Sequence, residues 1–325
     1  MKRLIYFISL CFLTTILFAQ GNGNPTINCV VFDTNTSKIP DNIIKTVSVD
    51  HLDHVWFATG DCFFGGKLVE YFDNMFKVYD STNYSMNDKF VTTIFIDNNN
   101  TKWIGTRFHG VYKFDGLKWV NYAPQNSPLP GVHVVSINQD RDGTLWFVTE
   151  KELTSFDGVN WKVYKSSDIH LAFDELYEVA VDNQNNKWIA SNKGFAKFDG
   201  AVWTIFQKEN SKLPNNQVNS VYCDKSGILW VVYWSGLIKI EKENWTIYTS
   251  ENSGLPQFND YKIFIDAKGT KWIGTSLGIV RHENDKWASF TPLNSCVRSF
   301  FINKIVSDSK NFKWVASNDG LLMIK

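Results

Sequence analysis

The sequence predicts an all-β fold, a seven-bladed β-propeller of four-stranded antiparallel blades, with the ring closed by an N-terminal strand that completes the last blade. Seven tryptophans, Trp56, Trp103, Trp146, Trp188, Trp230, Trp272 and Trp314, recur in one local pattern at spacings of 47, 43, 42, 42, 42 and 42. That is the length of one four-stranded blade. A second column, Trp119, Trp161, Trp203, Trp245 and Trp287, runs 42 residues apart, with Phe76 in the matching place one unit earlier. The third observation lies at the ends of the chain, where the last unit stops one strand short.

At the N-terminus, Lys2 and Arg3 precede an apolar run from Leu4 to Phe18, and Ala19 leads into the polar Gln20-Gly21-Asn22-Gly23-Asn24. This reads as a signal peptide over residues 1–19, cleaved after Ala19. A retained membrane anchor is the alternative, but the run is shorter than the roughly 20 residues a bilayer span needs. Cys11, preceded by Leu10, fits a lipoprotein cleavage site poorly. Residues 20–325 then read as a single propeller domain. No later segment is apolar enough for membrane insertion, so the mature chain is expected in the periplasm or the exterior.

Formal charge over the whole chain is zero. Removing Lys2 and Arg3 leaves the mature chain about two units acidic, and no basic stripe marks a nucleic-acid partner or an anionic membrane surface.

Each unit reads as four short strands. In the second, Val91 to Asp97 is strand a, Trp103 to Thr106 b, Val111 to Asp115 c and Trp119 to Tyr122 d; strong β-formers alternate, and Asn, Asp and Gly separate them. An Asp closes every strand a six residues before the column tryptophan: Asp50, Asp97, Asp140, Asp182, Asp224, Asp266 and Asp308. Such an Asp can bond its own backbone and cap the a–b hairpin. Asp140-Arg141-Asp142-Gly143 alone suggests a calcium loop, but further carboxylates do not recur with the Asp, so a structural turn is expected. Asp115-Gly116, Asp157-Gly158 and Asp199-Gly200 mark the c–d hairpins.

The last unit ends at Lys325 after strand c. Cys29-Val-Val-Phe32, followed by Asn35-Thr-Ser-Lys-Ile-Pro40, has the form of the ends of other units, such as Asn126-Ser-Pro-Leu-Pro130 and Asn210-Ser-Lys-Leu-Pro214. The N-terminal strand therefore completes the last blade and removes the open edges. Four cysteines remain beyond the leader: Cys29, Cys62, Cys223 and Cys296. They match neither a zinc site nor a redox pair. Inert buried thiols are expected, with Cys62–Cys296 the one plausible pair.

The stretch Asn126 to Thr149, with its Asn-Ser-x-Leu-Pro start and Gly-x-Leu-Trp-x-x-Thr end, resembles the two-component regulator propeller repeat. The resemblance extends over nearly all of the chain beyond the leader. It implies a periplasmic sensor-type propeller, often responsive to glycan fragments. The expectation departs from that family in having no transmembrane helix, kinase or regulator segment, or adaptor domain after the propeller.

In a repeat fold the recurrent residues hold blades together, so function is sought where the repeat breaks, on the face bearing the b–c and d–a loops. Four residues after each column tryptophan stand Gly60, Arg107, Glu150, Asn192, Trp234, Ser276 and Asn318. Trp234 lies outside both tryptophan columns. With Tyr233 it reads as an exposed aromatic pair for a sugar ring or a partner protein, against the alternative of packing on a neighbouring blade. Arg107 and His109 share a loop one residue longer than the common form, and Asp61 lies in the longest b–c loop. Arg107 can fork onto a carboxylate or sulfate, and Asp61 or Glu150 can bond hydroxyls, although each alone also reads as a solvated charge.

One residue before the apolar set on strand a stand Thr46, Thr93, Ser136, Glu178, Ser220, Lys262 and Lys304, pointing into the central channel. A channel with Lys262, Lys304 and one glutamate can hold an anion or ordered water; water is the expectation. The six histidines are scattered, with His51 and His54 in one a–b turn on the opposite face and His109, His133, His170 and His282 in different blades. No His/Glu pair on one loop face and no nucleophile motif is legible, and Leu145-Trp146-Phe147 is a faint echo of exported propeller lyases. The resulting expectation is a monomeric, non-enzymatic binding protein without cofactor or metal, taking an oligosaccharide or a protein partner. An envelope scaffold and an exported metal-dependent lyase are the alternatives.

Overall fold

A computed structural model describes residues 27–61, 63–80, 89–169, 175–257 and 261–325. The leader, Cys62 and His170 lie outside the described residues. Seven four-stranded antiparallel sheets follow one another around a ring. In blade 2 the strands are Val91–Ile96, Lys102–Thr106, Val111–Phe114 and Trp119–Tyr122, within a residue of the sequence expectation at each end. The only helix among the described residues is one turn, Ser166–Ile169.

The recurring Asp does more than cap a turn. In every blade one carboxylate oxygen accepts the indole N–H of the column tryptophan six residues on, at 2.8 to 3.2 Å. The other oxygen accepts the backbone N–H groups two and four residues ahead, as Asp140 does from Asp142 and Thr144. Three residues past each Asp the backbone turns left-handed at Asp53, Asn100, Gly143, Asn185, Gly227, Gly269 and Asn311. Gly, Asn and Asp tolerate that conformation best, which explains the polar turn composition.

Blades are also joined by buried lysines one residue before the column tryptophan. Lys102 reaches back to Asp50 at 2.9 Å, Lys187 to Asp140 at 3.0 Å and Lys313 to Asp266 at 2.8 Å, each crossing to the preceding blade. Their ammonium groups lie over Trp56, Trp146 and Trp272, 5.1 to 5.3 Å from the ring centres. The second tryptophan column opens strand d and stacks on strand c: Trp119 on Phe114, Trp161 on Phe156, Trp203 on Phe198 and Trp287 on His282.

The Asn-Ser-x-Leu-Pro loops serve the fold. Asn126 accepts from Ala123 N–H and donates to the Asn121 carbonyl, while Leu129, Leu213 and Leu255 are buried between blades. Closure follows the expected scheme. Cys29–Phe32 pairs with the last strand, Gly320–Ile324, from Cys29 opposite Ile324 to Phe32 opposite Leu321. Arg298 forms an ion pair with Asp33 just beyond that strand.

The cysteine expectation is corrected. Cys296 is bonded to Cys29, with Cα atoms 5.8 Å apart, and not to Cys62. The loop carrying Cys296 lies against the closing strand, a neighbour that blade-to-blade alignment of loops does not reveal. Cys223 remains a thiol, and burial pushes its pKa up.

Candidate functional site

The repeat fixes the main chain of the b–c loops and leaves their side chains free to vary. The backbone N–H of the residue four after the column tryptophan donates to the residue just before strand a: Gly60 to Ile43, Arg107 to Phe90, Glu150 to His133, Asn192 to Glu175, Trp234 to Gln217 and Asn318 to Phe301. Among the described residues these bonds tie the b–c and d–a loops of six blades into one face around the channel mouth.

On the side of blades 1 to 3 this face holds a cleft of about 260 Å³ lined by Lys45, Asp61, Lys89, Phe90, Arg107 and His133. Two of the predicted residues, Arg107 and Asp61, thus meet there. Phe63, Phe64 and Phe108 stand exposed in the same two b–c loops, with Phe108 edge-on to Phe90 at 5.2 Å and Arg107 against its ring.

The carboxylates play a different part from the one expected. Asp61 accepts the backbone N–H groups of Phe63 and Phe64, which hold its pKa below the usual range. Glu150 accepts those of Val132 and His133, at 3.1 and 2.9 Å. Both brace their loops, and the cations are left to face the cleft. His109 is exposed; its N–H donates to Thr106 and its carbonyl accepts from Asn121, and it is not among the cleft residues.

His133 was not singled out by sequence. The fold sets it beside Glu150, giving a His/Glu pair on the loop face that the expectation lacked. Burial lowers the His133 pKa, against the opposing pull of Glu150 and with a smaller push from Arg107.

Across the mouth, Trp234 is 52% exposed. Tyr233 is not its partner on the surface, and the expected aromatic pair reduces to one ring. Tyr233 occupies the position of the buried hydroxyl residues Thr59, Thr106, Thr149, Ser191, Thr275 and Ser317, and is itself 2% exposed. Gly236 makes room for it, since a Cβ there would meet the Tyr233 hydroxyl at 2.7 Å. That register was the sequence signal for burial. Beside Trp234 runs a polar chain in which Gln217 donates to the Tyr177 hydroxyl at 2.9 Å and Tyr177 donates to Glu175 at 2.7 Å.

All seven residues predicted to face the channel line a cavity of about 480 Å³ on the axis. Glu178 is held by the Ser220 hydroxyl and by Val221 N–H at 3.2 Å; burial nevertheless raises its pKa. Lys304 reaches toward the Ile94 carbonyl at 3.3 Å and Ser48 at 3.5 Å, and burial lowers its pKa to about 8. An ammonium so enclosed opposes folding. Lys304→Met is therefore expected to raise stability at pH 7, by about 1–3 kcal/mol. Between the depressed folded value and the ordinary 10.5 the folded chain binds fewer protons than the unfolded one, so Lys304 makes stability rise with pH across that window. Urea melts at pH 7 and 10 in oxyanion-free buffer check this: the variant should lose that rise, and equal slopes would contradict it.

Among the described residues, Asp50, His54 and Glu70 form a cluster of metal-ligand type, on the a–b face away from the loops. Its atoms are already engaged: His54 with Glu70 at 2.7 Å, Glu70 with the Tyr79 hydroxyl, and Asp50 with Trp56 and Lys102. The cluster is complete as a hydrogen-bonded structural group.

The family model described as two-component regulator propeller matches residues 128–151 and 212–235, which span strands a and b of blades 3 and 5. The chain carries this repeat. No curated protein matches it. Among solved structures it is similar to the extracellular domain of the hybrid two-component system BT3049 from B. thetaiotaomicron, at 18% identity and TM-score 0.76, over 93% of this chain and 42% of that one. It is also similar to virginiamycin B lyase from Staphylococcus aureus, at 14% identity and TM-score 0.73, over 92% and 99% of the two chains. A third is PorZ, a surface component of the type-IX secretion system of Porphyromonas gingivalis, at 16% identity and TM-score 0.70, over 90% and 47%. The chain spans less than half the length of the first and third. At these identities the likeness is one of fold.

Proposed function

We propose that this chain, built from two-component regulator propeller repeats, is an exported, non-enzymatic binding protein of the sensor type that holds a glycan fragment on its b–c and d–a loop face. One observation carries the reading: the residue bearing an exposed indole, Trp234, is tied through its backbone N–H to the carbonyl of Gln217, whose side chain begins the Gln217–Tyr177–Glu175 hydrogen-bonded chain. A flat apolar ring next to amide, hydroxyl and carboxylate groups suits the two kinds of surface on a sugar, its C–H face and its hydroxyl rim. The rim cleft, with Arg107 and the exposed Phe63 and Phe64, lies across the mouth and would contact a longer ligand. Export rests on the leader-like residues 1–19, and no helix among the described residues is long and apolar enough to cross a membrane. The extracellular setting of the two-component neighbour supports it.

The test is a thermal-shift screen of the protein without residues 1–19 against an oligosaccharide panel. A binding sugar raises the melting temperature in proportion to its saturation. Trp234→Ala should weaken that sugar about tenfold, and Arg107→Ala should weaken the longer members of the panel more than the shorter. A panel without a single hit, or variants that respond as wild type, rejects the glycan reading. Capture of a protein partner that tolerates Trp234→Ala would instead favour an envelope scaffold.

The lyase alternative has one observation in its favour, His133 and Glu150 brought together on the loop face. It requires turnover that disappears in His133→Ala.

A further inference from the structure

We infer that the axial channel is a binding site for a small oxyanion, a carboxylate or a phosphate, centred on Lys304. The argument starts from what surrounds the ammonium. Lys304 extends from strand a of blade 7 toward blades 1 and 2, where its nearest acceptors are neutral and distant, the Ile94 carbonyl at 3.3 Å and the Ser48 hydroxyl at 3.5 Å. Among the described residues no carboxylate forms an ion pair with it. Glu178 faces the same channel and draws the Lys304 pKa upward against burial, but its carboxylate is held on blade 5 by Ser220 and Val221 and makes no ion pair with the ammonium.

An enclosed charge that no carboxylate contacts is costly, and a hydrogen-bonded anion removes that cost. Neutral donors lie on the same wall. Thr46 and Thr93 line the cavity, and their hydroxyls bond to no described residue. Ser136 accepts Val179 N–H at 3.3 Å, which leaves its own hydrogen to donate. One ammonium and three hydroxyl residues from blades 7, 1, 2 and 3 thus line a space large enough for a small oxyanion with some of its water. Lys45 lines both the channel and the rim cleft, so positive charge marks the route inward. This site is separate from the indole platform and does not depend on it.

Isothermal titration calorimetry of the protein without residues 1–19, with sodium phosphate in one arm and sodium succinate in the other, tests the inference, with sodium chloride as the ionic-strength control. Saturable one-to-one binding is expected for at least one of the two, and the arm that binds identifies the anion. Lys304→Met should weaken it at least tenfold and Thr93→Val several-fold, both with intact thermal unfolding, while Arg107→Ala leaves it unchanged. No saturable heat at millimolar anion, or wild-type affinity in Lys304→Met, overturns the channel site. Loss in Arg107→Ala with retention in Lys304→Met would move the anion to the rim and likewise overturn it. If Lys304→Met fails to fold, wild-type affinity in Thr93→Val is the contrary result.

Discussion

Cys296→Ser, or reduction of the wild type, lowers the free energy of unfolding by about 4–5 kcal/mol. Blade 7 is the one blade whose outer strand is not continuous with its neighbour, and the disulfide joins residues 267 apart in sequence. In the unfolded chain a loop of that length is entropically expensive to close, and the cross-link removes this freedom in advance. In the folded ring the closing strand is otherwise held by four backbone pairs, Cys29 to Phe32 against Ile324 to Leu321, and by the Arg298–Asp33 ion pair. Urea unfolding with and without reductant measures the effect. Cys223→Ser, which removes a half-buried thiol outside any disulfide, is the control and should show a much smaller change. An unchanged urea midpoint on reduction would mean that the strand is held without the bond.

Asp266→Ala is expected to cost about 3–5 kcal/mol, since it strands a buried lysine charge. One carboxylate oxygen of Asp266 accepts from Lys268 and Thr270 N–H, and the other from the Trp272 indole at 3.1 Å and the Lys313 ammonium at 2.8 Å. Lys313 is 5% exposed and belongs to the next blade, so the loss falls on the blade 6–7 junction. Adding Lys313→Met should recover part of the stability, because the unpaired charge goes with it. A double variant no better than the single would show that the turn and indole bonds carry the effect. Burial raises the Asp266 pKa, but Lys313 and Trp272 outweigh it and the net shift is downward. The folded chain then binds fewer protons than the unfolded one in acid, so this contribution is present above the ordinary carboxylate value and fades as pH falls through the lowered one.

The site was less legible than the ring. The seven channel-facing residues followed from strand alternation alone, because period-2 geometry is local. Trp234 followed from its place outside the columns, and its exposure agrees. Tyr233 suggests a surface aromatic by its size, but its register with the buried threonines and serines decides its burial. The parts played by Asp61 and Glu150 depend on which backbone N–H groups come within reach, and no side-chain pattern encodes that. His133, Lys45 and Lys89 join Arg107 only because blades 1, 2 and 3 lean together at the mouth.

The sequence by itself determined the number of blades, the strand order, the closing strand and the turn chemistry, since each is a repeated short-range pattern and seven copies agree. Only the tertiary structure decided that Cys29 and not Cys62 meets Cys296, that the repeating Asp binds an indole and in three blades a lysine of the next, and that Lys45, Lys89, Arg107 and His133 line one cleft with Asp61. Those contacts join residues from different blades or from opposite ends of the chain, and their distances are set by the curvature of the closed ring, which no single repeat contains.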